Sequence, residues 1–449
     1  MVLLESTGIV LRGTFEAQPR PGQLPDIDVE WCERRILQSI HRRTLSTLRK
    51  QIEPVTPAVY MRFLLDWQHL GERRQLAGEQ GLLEALRALE GFEAPAAVWE
   101  RSILPQRVAG YDPRWLDALC LTGAVGWGRI SPHPAFADLA SGGPRRVVPT
   151  SMAPVTFFVR EDALWMDLCL SQRQIPEANL TACLSALANR VRSCLGERGA
   201  MFSADLIRLL ATPAEDVHRA LWELVAAGLV NADGFDSLRV LIDPRRKRAF
   251  AAPASLSGKS KTLGRNASGR WALLSDPGEV EPHFGENKPS AEAAAHAAAR
   301  RDAQVESACQ MLLRRYGVVF RDVLARETTV PPWRELVGMF RRLEARGIAR
   351  GGRFVSGFGG EQFALPEAAD ALRANRSRTL ADMPPVTMAA ADPMNLVGVV
   401  IPGERTASIA GNTVTLPLPP AEAEAAVVEL PLPGTFIFGP SPLGGGAIA

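Results

Sequence analysis

Along the chain, one arrangement of apolar and polar positions recurs four times. The copies are LESTGIVLRGTF (Leu4 to Phe15), LCLTGAVGWGRI (Leu119 to Ile130), LVAAGLVNADGF (Leu224 to Phe235) and LEARGIARGGRF (Leu343 to Phe354). In each, a leucine is followed four residues on by glycine, six on by Val or Ala, and eleven on by a large apolar residue. An apolar helical period that stops at glycine predicts a capped helix end. The β-formers after it predict a short strand entering a hairpin. Four copies predict one supersecondary unit used repeatedly, and their uneven spacing excludes a regular solenoid.

Three of the copies have a helical run-in. GLLEALRALEGF (81–92), APAAVWERSIL (94–104) and DPRWLDALC (112–120) precede Gly123. ANLTACLSALANRVRSCLGERGA, FSADLIRLL and PAEDVHRALWELVAAG precede Gly228, and DAQVESACQMLLRRYGV, FRDVLARE and PPWRELVGMFRRLEARG precede Gly347. Each middle helix is short, and each third helix starts on a proline and ends in glycine. Three helices and a hairpin make a winged-helix unit, whose third helix commonly enters the DNA major groove. The opening copy is then expected to be the wing of a unit whose helices lie upstream of Met1, in a longer protein. Residues 28–52 read as a further helix, with Leu37, Ile40, Leu48 and Ile52 near the helical period and Arg34, Arg35, Arg42, Arg43 and Arg49 around them. Glu53-Pro54 ends it, and Thr56-Pro57 opens the next helix, which runs to about His69.

Strand-like runs are scattered between the units: 145–160, SLRVLID (237–243), GRWALLS (269–275), 386–403 and NTVTL (412–416). They are expected to meet in one small β-barrel. The fold class is therefore α+β, tandem winged-helix domains plus a small barrel of dispersed strands. The expected division is a truncated wing (1–20), a helical and winged-helix domain (21–135), barrel strands (136–176), a winged helix (177–236), and a basic stretch with barrel strands and linker (237–300). A winged helix (301–370), barrel strands (380–416) and a Pro/Gly-rich, poorly ordered tail (417–449) complete it.

Composition is that of an ordinary globular protein, with 46% hydrophobic and 22% charged residues over 449 positions; a net charge of +2 means that any basic signal is local. Six cysteines form no CxxC and no zinc spacing, which predicts reduced, buried thiols in a cytoplasmic protein. No apolar run approaches a membrane span, so no membrane partner is expected. Gly258-Lys259-Ser260 ends like a phosphate loop, but Pro253 stands where its first glycine belongs. GFGGEQ (357–362) lacks the third glycine of GxGxxG, and no HExxH or nucleophile elbow occurs. Asp112, Asp205, Asp243 and Asp392 are the acids with general-base potential. Helix caps explain Asp112 and Asp205, and a turn before Pro393 explains Asp392. The basic positions say more. Arg334, Arg341 and Arg342 fall on the last third helix and Arg219 on the middle one, while Arg12, Arg129, Arg350 and Arg353 fall in wings. Residues 244–270 add Arg245, Arg246, Lys247, Arg248, Lys259, Lys261, Arg265 and Arg270 with no acid. Such a layout clamps a phosphate backbone.

With these residues laid out, a family resemblance emerges. EWCERRILQSIHRRTLSTLRKQIEPVTPAVYMRFLLDWQHL, WERSILPQRVAGYDPRWLDALCLTGAVGWGRIS, the run from RYGVVF to FALPEA, and DPMNLVGVVIPGER resemble the C-terminal region of bacterial large helicase-related (Lhr) proteins, over about residues 1–414. The resemblance implies a DNA-binding region of an ATP-dependent 3′-to-5′ repair helicase, with tandem winged helices and a barrel like that of AlkZ-type glycosylases. Alternatives are a uracil or damaged-base DNA glycosylase and a winged-helix docking or oligomerisation scaffold. The two RecA-like motor domains are absent, so ATP and Mg²⁺ would enter only through a helicase half and no cofactor is expected in this chain. Implied partners are single-stranded or damaged DNA, the helicase half and a second copy of the chain, in a nucleoid-associated cytoplasmic protein. Glycosylase-active members need an aspartate near their C-terminus. Residues 417–449 hold none, so no catalytic residue carries over.

Overall fold

A computed structural model describes residues 2–13, 30–71, 74–136, 146–171, 175–239, 269–274, 291–378 and 381–417, with 51, 149, 151, 237, 382 and 410 excepted. The repeated pattern is one turn built four times. Gly8, Gly123, Gly228 and Gly347 have φ of +69°, +79°, +73° and +75°. Each glycine N–H donates three residues back, to Glu5, Cys120, Val225 and Glu344 at 2.9–3.0 Å. In three copies the next N–H reaches the leucine that opens the pattern: Ile9 to Leu4, Leu229 to Leu224 and Ile348 to Leu343. This is the Schellman termination, and it satisfies the last helix carbonyls. The Val or Ala that follows is buried in every copy. Gly347 meets nothing within 4 Å of an added Cβ, so Gly347→Ala tests the backbone alone. It is expected to lose about 1–2 kcal/mol for forcing a side chain into the left-handed region, read by urea denaturation, with Gly347→Asn losing less.

The helical run-ins form, with departures from three plain helices in each unit. In the first unit, helix Gly78–Leu89 is followed by a short strand and an irregular helical stretch from Ala96 to Arg107, then helix Pro113–Leu121. Asp112 caps that last helix, accepting from Arg114 N at 2.9 Å. The middle unit has helices Glu177–Cys183, Ala186–Arg198, Ser203–Leu210 and Ala214–Ala227. Its first predicted helix is broken because Ser185 caps a new one, accepting from Ala188 N. Asp205 is not a cap: Phe202 holds the cap position, and Asp205 sits inside the first turn, paired with Arg208. The last unit has a long helix, Ala291–Tyr316, then a 3₁₀ turn (Asp322–Arg326) where a short helix was predicted, then Trp333–Ala345.

The wings pair as hairpins or small sheets. Val10–Gly13 pairs antiparallel with Glu30–Glu33, Val125–Gly128 with Pro154–Val159, and Val230–Ala232 with Trp271–Leu273. Arg350–Gly352 pairs with Gln362–Ala364, which also pairs with Val318–Val319. Val386–Ala389 pairs with Thr413–Leu416. Among the described residues the strands make six separate sheets of two or three strands. The predicted barrel does not close there: Pro154–Val159 and Trp271–Leu273 serve as wings, and Val386–Ala389 and Thr413–Leu416 pair with each other. Residues 237–243 were predicted as a strand, but Leu238 and Arg239 turn helically, both donating to Phe235 O. Arg239 needs that turn to reach Glu100 and Asp117, at 2.7 Å each.

Among the described residues two apolar cores result. One joins the first and middle units through Trp99, Trp127, Phe157 and Phe235; the other gathers the last unit with the segment 386–416. Helix α1 is Val2–Ser6, α2 is Arg34–Lys50 and α3 is Pro57–Trp67. Thr56 caps α3 as predicted. Helix α3 precedes the first unit in sequence but packs into the last one, where Tyr60 Oη donates to Val318 O at 2.8 Å. Trp67 Nε1 donates to Arg314 O and Gln68 Nε2 to Arg315 O, at 2.8 and 2.7 Å. These side chains occupy the carbonyls that end the long helix.

Candidate nucleic-acid interface

The third helices and wings hold the candidate cations, and their neighbours decide what those cations can do. Helix Trp333–Ala345 packs against the long helix through an ion-pair ladder. Arg342 meets Asp302 at 2.6 Å, Arg346 meets Glu306 at 2.6 Å, and Arg301 meets Glu335 at 2.9 Å. Arg341 turns to Glu361 beside the wing at 2.5 Å, and Arg350 meets Asp370 at 2.9 Å. The hydrogen bonds from Arg341 to Glu361 and from Arg342 to Asp302 raise both arginine pKa values. Arg219 pairs along its own helix with Asp216 at 3.0 Å. Each of these arginines is neutralised locally, so a phosphate would have to displace a carboxylate.

Arg129 corrects the expectation of a solvent-facing wing cation. It is buried, and its guanidinium donates to Ala226 O at 2.9 Å, Ser131 O at 3.0 Å and Pro132 O at 3.3 Å. It ties the first wing to the middle unit's third helix, and burial lowers its pKa. Arg12 lies on the opening strand, 6.0 Å from the Trp31 ring and 3.7 Å from Glu5. Arg334 and Arg353 are exposed with no carboxylate partner among the described residues. Arg245, Arg246, Lys247, Arg248, Lys259, Lys261, Arg265 and Asp243 lie outside the described residues. Arg270 pairs with Asp233 at 3.0 Å. Among the described residues the candidate cations therefore do not converge on one free patch.

The acids are equally engaged. The Arg114 side chain, with its own backbone N–H, holds the Asp112 carboxyl below the usual carboxylate range. Asp392 is fully buried, and Arg107, itself 1% exposed, grips both its oxygens at 2.7 and 2.9 Å. It also accepts from Met394 N at 2.9 Å, the turn predicted before Pro393. Arg326 donates to the carbonyls of Asp392, Asn395 and Ala390. The segment DPMN is thus the junction of the first unit, the last unit and the 386–416 hairpin. Beside it, Arg315 forms a buried pair with Glu327 and donates to the carbonyl of Glu90. Phe92 has Arg315 and Arg326 within 5.6 Å of its ring centroid. Sequence reasoning missed this cluster because its partners, such as Arg107 and Asp392, stand 285 positions apart.

Against this geometry, comparison with known proteins is specific. Residues 55–138 match a winged-helix domain of large helicase-related protein, the third of that protein, and residues 298–383 match the fourth. The chain is 30% identical over 414 residues, 88% of its length, to a protein of Mycolicibacterium smegmatis named Lhr helicase/probable uracil glycosylase. It is 26% identical over 422 residues, 83% of its length, to the Lhr helicase/uracil glycosylase of Escherichia coli. It spans 24% of the length of each. No helix among the described residues is long and apolar enough to cross a membrane. Two successive winged helices of one protein type, joined by the buried DPMN junction, make this chain a C-terminal winged-helix region of the large helicase-related (Lhr) family.

Proposed function

We propose that this chain is the DNA-binding C-terminal part of an Lhr-type repair helicase, acting in the cytoplasm at the nucleoid and needing no ATP or Mg²⁺ of its own. The observation that carries the reading is the succession of two Lhr winged helices in one chain. Contact runs mainly to phosphate, from Arg334, Arg353 and the basic stretch 244–270, with weak sequence preference. DNA binding whose affinity falls steeply with salt is the expected result, because each phosphate neutralised releases a counterion. Anisotropy of a labelled single strand between 50 and 200 mM salt measures it, and an affinity unchanged across that range refutes it.

The names of the two relatives favour a second reading, excision of uracil from DNA. That chemistry needs a group free to activate water beside a flipped base. Asp112, Asp205 and Asp392 are all held by arginines, which leaves Asp243 as the candidate. Alkali-sensitive breaks at uracil in the same samples would establish it.

A further inference from the structure

Helix α2 differs from the third helices in one respect that bears on DNA. Its sequence, RRILQSIHRRTLSTLRK, contains no acidic residue. Arg34, Arg35, Arg42 and Arg43 are exposed, and none meets a carboxylate among the described residues. At about 100° per residue, Arg35, Arg42 and Arg43 share one sector of about 100° on the helix surface.

The helix is held at one end. Arg49 donates to Glu344 Oε1 at 2.7 Å and lies 3.5 Å from Glu361, the carboxylate that also holds Arg341. Ile52 packs over the last wing so closely that a Cβ on Gly352 would overlap it. Beyond α2 the chain enters a cleft of about 270 Å³ lined by Glu53, Arg350 and Arg376. A helix with uncompensated cations therefore lies against a wing that carries the exposed Arg353. The wing's own third helix has spent Arg341 and Arg342 on intramolecular pairs.

We infer that α2, with the adjoining last wing, is the main phosphate-contacting surface among the described residues, ahead of the third helix of the last unit, where Arg341 and Arg342 are paired and Arg334 is not. The inference rests on the DNA-binding reading above. It is tested with Arg35→Gln, Arg42→Gln and Arg43→Gln combined in the full chain. A control combines Arg219→Gln with Asp216→Asn and Arg342→Gln with Asp302→Asn, which removes two ion pairs at constant net charge. Anisotropy with a labelled single strand and its duplex is read at several salt concentrations, alongside melting temperature and sedimentation.

The α2 variant is expected to melt like the wild type, to bind at least about tenfold more weakly, and to lose about 2–3 from the slope of log affinity against log salt. The control is expected to bind within about twofold of the wild type, because each arginine is removed together with its carboxylate and the net charge is unchanged. A steep wild-type slope with unchanged α2-variant binding overturns the inference and leaves the DNA-binding reading standing. A flat wild-type slope overturns both. Unchanged DNA affinity with altered sedimentation would assign α2, whose Ile36, Ile40 and Leu48 are also exposed, to a protein partner and likewise overturn it.

Discussion

Asp392→Ala is expected to destabilise the chain by about 3–5 kcal/mol, the range for removing one partner of a buried ion pair. The loss arises because Arg107 stays behind, 1% exposed, with its charge uncompensated. Its remaining partner is Ile103 O at 3.1 Å, and its Nε is buried without an acceptor. Replacing both ions with apolar groups removes that penalty, so Arg107→Met with Asp392→Ala should recover most of the loss. Urea denaturation of the two single variants and the double variant measures the coupling. A loss below about 1 kcal/mol in Asp392→Ala would show that water reaches the pair and that the junction is held by packing alone. The same experiment bears on chemistry. Uracil-directed cleavage that survives Asp392→Ala, in protein shown to be folded, removes this carboxylate from the candidates.

That buried junction accounts for one of the family-marking runs. DPMNLVGVVIPGER falls largely in the run 386–403 that was predicted as strand, but the strand stops at Ala389 and the rest is turns. The structure shows why its composition is constrained: Asp392 takes Arg107, its backbone carbonyls take Arg326, and Met394 and Leu396 are fully buried. The run sets how the first unit stands against the last. Two winged helices fixed in this way hold one relative orientation, whereas a flexible linker would let each move independently.

Local features of the fold were legible in the sequence, and long-range ones were not. The four glycine-terminated helix ends could be read directly, because left-handed backbone after a leucine-ended helix favours one residue type. The proline-started third helices and the Thr56 cap were readable for the same reason. The destination of each strand was not. A β-run of three to six residues carries no record of its partner, so wing strands passed for barrel strands. The arginines misled for a related reason. Sequence shows that Arg129, Arg341 and Arg342 are basic but not that Ala226 O, Glu361 and Asp302 wait opposite them. Helix α2 was visible as a basic amphipathic helix, although the predicted span of 28–52 included Glu30–Glu33, which pair as a strand with Val10–Gly13. Its significance appeared only when Arg219, Arg341 and Arg342 proved to be paired.

The second large effect concerns pH. Glu90 is fully buried at the end of helix Gly78–Leu89 and faces Arg314 at 3.3 Å, with Arg87 and Asp162 nearby. Burial pushes its carboxyl up to about 7 from an ordinary 4.5, outweighing the pull of Val159 N–H and Arg314. Between those two values the folded chain holds a proton that the unfolded chain has released. Its contribution is therefore fully present below pH 4.5 and is lost as pH rises through 7. The amount is about 3 kcal/mol at about 1.4 kcal/mol per pH unit. Glu90→Gln keeps an acceptor for Val159 N–H and cannot ionise. The stability difference between wild type and this variant should fall across pH 5 to 7 and level off above it. Urea denaturation at four pH values reads that difference, in which the other titrating groups cancel. Because Arg314 of the last unit meets the Glu90 carboxylate, while Arg315 bonds only its main-chain carbonyl, the titration acts on the Arg314 contact at the seam between the two matched winged helices. Parallel pH profiles for the two proteins would mean that Glu90 is already ionised at pH 5 and that Arg314 and Val159 N–H fully offset its burial.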